Sequence, residues 1–142
     1  MNPEQAFKRM VDAGGFDGLV SYPPTVITLP MPPSINRLYR AVRGRNIMSE
    51  TYRTWKAEAG TALMAQRPRK ITGKVSILTE ISPQDRRRRD LDNVGFKAVL
   101  DLLVAMRIIE ADDSSCVREI TARWVTSGPP CTVTITRSEE PT

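Results

Sequence analysis

The chain is 142 residues long, carries a formal net charge of +5 and contains no histidine. That length suits one domain with a real core, and the basic balance suits a polyanionic partner. Without histidine, Ser-His-Asp and Cys-His machinery is excluded, and the two cysteines, Cys116 and Cys131, have neither CxxC nor zinc-ligand spacing. There is no apolar run of about eighteen residues, no signal-peptide pattern and no GxGxxG or GxxxxGKS/T loop. The expectation is a soluble cytoplasmic protein with free thiols, whose chemistry falls to carboxylates, lysines and arginines.

Residues 1–24 read as an appendage of unknown role in front of a domain over 25–142. Within it, Pro3 to Ala13 places Phe7, Met10 and Val11 at helical spacing before Gly14-Gly15, which reads equally as a short amphipathic helix or as a loosely ordered tail. A β-rich run, Thr25 to Leu29, enters the stretch Pro30 to Pro33, which should be extended at an edge or strand end because proline cannot continue a central ladder. Asn36 to Ile47 reads as a basic hairpin or loop with Gly44 at its turn. Ser49 is a good N-cap for a helix over Glu50 to Gln66, with Tyr52, Trp55, Ala59 and Leu63 at helical spacing and Pro68 as its stop. Lys74 to Ile81 alternates as a strand closed by Pro83.

The next helix is expected to begin around Asp90 to Asn93 and run to about Met106, its apolar interior formed by Val94, Phe96, Val99, Leu100, Leu103 and Met106. Cys116 to Val125 and Cys131 to Arg137 read as an antiparallel hairpin joined through Gly128-Pro129-Pro130. On its strands the two cysteines sit at different heights and should not bond. Strands interrupted by two helices indicate a single α/β (α+β) domain, a small, mixed, largely antiparallel β-sheet packed with two main helices.

The chemistry concentrates at Arg86 to Asn93, RRRRDLDN, where four cations abut Asp90 and Asp92. A second acidic pair, Asp112 and Asp113, follows. Clustered carboxylates repel unless a cation neutralises them, and a hard, oxygen-loving ion such as Mg²⁺ is the usual partner. Guanidinium groups match phosphate in a bidentate fork. Between Arg37 and Lys74, ten Lys or Arg stand against two acids, Glu50 and Glu58, an excess of eight suited to a nucleic-acid backbone. Each feature has an ordinary structural explanation: Asp caps helices, an acidic pair makes a polar turn, and an arginine run can simply be solvated. Only their conjunction points to metal-dependent chemistry on nucleic acid.

RRDLDN, a following lysine, an LD on the same helix and a DD before a strand resemble one signature of the RusA-type crossover-junction (Holliday-junction) endodeoxyribonucleases. PPSINRLYR, Pro32 to Arg40, resembles the other, PPSxNxxYR. The resemblance spans roughly Val26 to Arg137. It implies a RusA-like fold and a homodimer that binds branched DNA, the four-way junction, and introduces paired nicks with Mg²⁺ or Mn²⁺, in a bacterial or phage-infected cell. By position, the metal ligands would be Asp90, Asp92 and Asp113, with Asp112 the alternative for the third. The family's catalytic lysine would be Lys97. DNA contacts would come from Arg86, Arg87, Arg88 and Arg89 and from Asn36, Tyr39, Arg40, Arg43 and Arg45.

One departure concerns the lysine, because three residues rather than two separate Asn93 from Lys97. On one ideal helix Lys97 would lie roughly 140° around from Asp92. Either a one-residue π-bulge near Gly95 restores it to the site, or Lys97 is displaced and an arginine from Arg86 to Arg89 substitutes. Two other readings stand beside the resolvase: a non-catalytic DNA-binding module, and a metal-dependent nuclease acting on flaps, single strands or RNA.

Overall fold

Four strands form the central sheet of the computed structural model, which describes residues 2–5 and 23–138. They are β1 (Thr25–Leu29), β4 (Val75–Ile81), β5 (Val117–Trp124) and β6 (Cys131–Arg137), in the spatial order β1-β6-β4-β5. The β1–β6 and β6–β4 pairs are antiparallel and β4–β5 is parallel, so the sheet is mixed and mainly antiparallel as expected. A separate antiparallel ribbon joins β2 (Tyr39–Val42) to β3 (Arg45–Met48). Its turn residues Arg43 and Gly44 both have positive φ, 50° and 76°, the geometry of tight hairpin turns. Of the helix expected over residues 3–13, residues 3–5 are helical and the remainder lies outside the described residues.

Helix α1 spans Glu50–Gln66 as its periodicity requires, with Tyr52, Trp55, Ala59 and Leu63 buried. The Ser49 hydroxyl accepts from the Tyr52 N–H at 3.0 Å, and its own backbone N–H donates to Leu38 O at 2.9 Å, fixing the ribbon to the helix start. At the other end, Arg67 turns left-handed (φ 47°) before Pro68. Helix α2 covers Phe96–Ala105 and buries Ala98, Val99, Leu102 and Leu103. Both helices share a core with one face of the sheet, Ile27 and Leu29 on β1, Ile77 and Ile81 on β4, Val133 and Ile135 on β6. Burying each such side chain is worth roughly 1.5–3 kcal/mol.

Strand β1 lies at one edge of the sheet, and α1 closes that edge. The Thr28 N–H donates to Gln66 Oε1 at 2.8 Å, and Gln66 Nε2 donates to Thr28 O at 2.7 Å. A side-chain amide thus stands in for a neighbouring strand.

Two expectations are corrected. Strands β5 and β6 are not a hairpin; β4 lies between them, with Ile81 opposite both Trp124 and Cys131. The segment 125–130, with its two prolines, crosses the end of β4, held by Val125 N–H to Ile81 O at 2.9 Å and Ser82 N–H to Pro130 O at 3.0 Å. A strand as apolar on one face as β4 gains most by pairing on both sides. Second, no continuous helix begins at Asp90–Asn93. Leu91–Asn93 form a 3₁₀ turn, Val94 is extended, and the α-helix starts only at Phe96. The two cysteines are free and buried, and burial pushes the Cys131 thiol up to about 12.

Candidate active site and nucleic-acid interface

The helix break arises from a long-range contact. The Gly95 N–H donates to Pro33 O at 2.9 Å, and Val94 bridges Ser34 in antiparallel fashion. Chain segment 33–34 therefore occupies the place where helical backbone would continue. The approach needs glycine, since a Cβ at Gly95 would stand 2.4 Å from the Pro33 carbonyl oxygen. Through this contact the two signature segments, distant in sequence, meet.

Where they meet they enclose a cavity of about 430 Å³, whose walls include Arg37, Arg87, Arg88, Asp90, Asn93 and Trp124. Asp90 caps the 3₁₀ turn in an extended conformation, and Asp92 lies within the turn. Both are exposed, and among the described residues neither carboxylate has an ion-pair partner. Arg89, placed by its position beside Asp90, instead pairs with Asp85 at 2.8 Å. Asp85 also accepts from the Arg87 N–H at 3.0 Å, so it shapes the arginine loop.

Asp113 stands at the turn into β5. Its Oδ1 accepts from the Ser115 N–H at 2.9 Å and from the Ser115 hydroxyl, which leaves Oδ2 open. Those bonds hold its carboxyl below the usual range, so it is ionised at neutral pH. Asp90, Asp92 and Asp113 are not gathered into one cage: among the described residues no three His, Cys, Asp or Glu side chains come close enough to hold one ion.

Lys97 lies in the first turn of α2, just after the break at Val94–Gly95. Asp92 and Lys97 occupy different elements, so the break is not a π-bulge within one continuous helix. The Lys97 ammonium pairs with Asp101 Oδ2 at 3.3 Å, and the same oxygen accepts from the Tyr52 hydroxyl at 3.4 Å. Hydrogen bonding to Asp101 and its charge raise the Lys97 pKa, and Asp112 adds to that field. Burial, then the Asp101 charge, pushes Tyr52 up to about 12. Tyr39 meets Tyr52 edge-on, ring centres 5.9 Å apart, which ties the β2–β3 ribbon to this cluster.

Asn36 and the basic residues Arg40, Arg43 and Arg45 are all exposed on or before the ribbon. Strand alternation puts Tyr39 and Arg40 on opposite faces, so with Tyr39 turned to Tyr52, Arg40 points away from α1. Arg86, Arg87, Arg88 and Arg89 are exposed in the loop ahead of Asp90. Sequence reasoning missed Ser115, Asp85 and Trp124. Ser115 and Asp85 had a local signal, since Asp residues commonly bond backbone two positions on. Trp124 had none, because only the packing of β5 beside β4 brings it near the loop.

The family model described as Endodeoxyribonuclease RusA matches residues 30–136. The chain belongs to the RusA family. It is 41% identical over 78 residues to the crossover junction endodeoxyribonuclease RusA of Escherichia coli K12, covering 54% of this chain and 64% of that protein. The same-named protein of Escherichia coli O139:H28 is 34% identical over 111 residues, covering 78% of this chain and 92% of the relative. The RusA protein of Enterobacteria phage 82 is 40% identical over 78 residues. The match to the K12 and phage relatives thus spans less than two thirds of their length, 64%. Among the described residues no helix is long and apolar enough to cross a membrane.

Proposed function

We propose that this chain is a structure-specific endodeoxyribonuclease that resolves four-way DNA junctions by paired nicks, acting as a homodimer in the cytoplasm of a bacterial or phage-infected cell. The observation that carries this reading is the meeting of the PPSIN and RRRRDLDN segments at one cationic cavity with Asp90 on its wall. Family membership and the names of the relatives support it.

The donor chemistry fits Mg²⁺ or Mn²⁺ at Asp90 and Asp92, two exposed carboxylates without an internal cation. Magnesium commonly takes one or two carboxylates and completes its shell with water and phosphate oxygens. Bound there, the ion would supply charge neutralisation and a more acidic water. Asp113, its Oδ2 open, is the third acid of the proposed set, although it does not join the other two in a single cage within one chain. Lys97, positioned by Asp101, would neutralise developing charge on the scissile phosphate. Arg86 to Arg88 and the ribbon arginines would hold the DNA backbone.

Cleavage of a synthetic four-way junction by the purified protein, with Mg²⁺, with Mn²⁺ and with EDTA, tests the reading beside Asp92→Asn. Paired symmetric nicks that need both metal and Asp92 are expected. Junction binding without nicks under every condition would leave a binding protein, and preference for flaps, single strands or RNA would leave a nuclease of another specificity. Light scattering of the same sample reads the dimer.

A further inference from the structure

The geometry points to the cavity between the two signature segments as a subsite for one unstacked nucleotide, its base against Trp124 and its phosphates held by Arg37, Arg87 and Arg88. This rests on the junction-nuclease reading and specifies which part of the substrate the site receives.

The cavity, about 430 Å³, falls within the roughly 300–1,000 Å³ typical of small-ligand pockets. Beside Asp90 and the neutral polar Ser34, Thr51 and Asn93, its walls carry two kinds of group. Trp124, Met31, Pro32 and Pro33 offer flat apolar surface, whereas Arg37, Arg87 and Arg88 offer cationic donors. Among the described residues these three guanidinium groups make no side-chain ion pair, unlike Arg89, which Asp85 engages. The two tryptophans also differ. Trp55 is 5% exposed and its indole N–H donates to Pro30 O at 3.0 Å, a structural role. The Trp124 N–H has no hydrogen-bond partner among the described residues, and its ring is only partly buried at the end of β5.

Guanidinium groups without an ion pair beside a part-exposed indole that lines the same cavity match a nucleotide better than a bare anion. Guanidinium forks recognise phosphate, and an aromatic ring stacks a base that has left its neighbours. A base still stacked in a duplex has no free face to offer. Asp90 on the same wall places this nucleotide next to the phosphate proposed for cleavage. Such a pocket would favour DNA whose stacking is already interrupted, as at the crossover of a junction, where unstacking costs least.

The test follows Trp124 emission in the full-length protein, in EDTA so that no strand is cut. The probes are a four-way junction, a linear duplex of the same sequence, and junctions carrying single abasic sites at each crossover nucleotide. The expected result is quenching by the intact junction, none by the duplex, and loss of quenching with one abasic position while binding persists. Trp124→Phe should leave only the unresponsive Trp55 signal, and Trp124→Ala should weaken junction binding roughly 5- to 150-fold. Quenching that the duplex reproduces, or that every abasic junction retains, would overturn the proposal. The abasic arm changes no residue, so it stands even if Trp124→Ala fails to fold. Because quenching is read without cleavage, failure of the pocket and failure of the nuclease reading are separate outcomes.

Discussion

The Gly95 amide donates to the Pro33 carbonyl at 2.9 Å, and this bond holds together the two segments that define the site. Any side chain at Gly95 must displace backbone rather than a flexible tip, because the nearest atom to its Cβ is that carbonyl oxygen. Gly95→Ala should therefore destabilise the fold by about 2 kcal/mol, lowering Tm by roughly 5 °C. A thermal melt checks this, and an unchanged Tm would mean that the 33–34 segment yields freely. Junction binding by the folded fraction should also fall, since the cavity walls separate.

Lys97 and Asp101 make a second testable pair. Lys97→Ala should slow nicking roughly 100-fold, the usual effect of removing one electrostatic stabiliser, with little change in junction affinity. Asp101→Asn should slow it less, and its effect should vanish in the Lys97→Ala background if Asp101 acts through the lysine. Single-turnover rates for the four proteins of that cycle decide the point; additive effects would assign Asp101 a purely structural role.

Tyr52 gives a pH signature. Its pKa is raised to about 12 by burial and by Asp101, above the ordinary value of 10.0. The neutral phenol is the form the fold favours, so this contribution is complete below about pH 10 and is lost as pH rises towards 12. Absorbance titration at 295 nm should show one of the chain's three tyrosines ionising late, together with alkaline unfolding. Tyr52→Phe should remove that late step, and its persistence would assign it to another tyrosine.

Gln66 guards the β1 edge. Replacing it with alanine removes its two hydrogen bonds to the Thr28 backbone and the longer one from the Thr28 hydroxyl, and should cost about 1–2 kcal/mol. Denaturant melts measure the loss. Light scattering after brief heating should show more self-association than the wild type, as an uncovered edge can pair with another chain.

Much of this protein was legible in order along the chain. Ser49, the apolar spacing of Glu50–Gln66 and the alternation of Val75–Ile81 depend on local steric and burial preferences, which a sequence states directly. The acidic and basic residues of RRRRDLDN were equally plain, as was the basic ribbon with its Gly44 turn. The tertiary structure decided what no local pattern encodes. Strand β4 took the place between β5 and β6, because an alternating strand gains a full set of hydrogen bonds on each side only at the centre of a sheet. The Pro33 carbonyl broke the expected helix at Gly95, which put Asp92 and Lys97 on different elements. Lys97 then found Asp101, which also accepts from Tyr52, Asp113 found Ser115, and Trp124 came to the arginine loop. In each case the residue's chemistry was set by its sequence, and its partner by which elements could be packed together at the least cost in unpaired backbone.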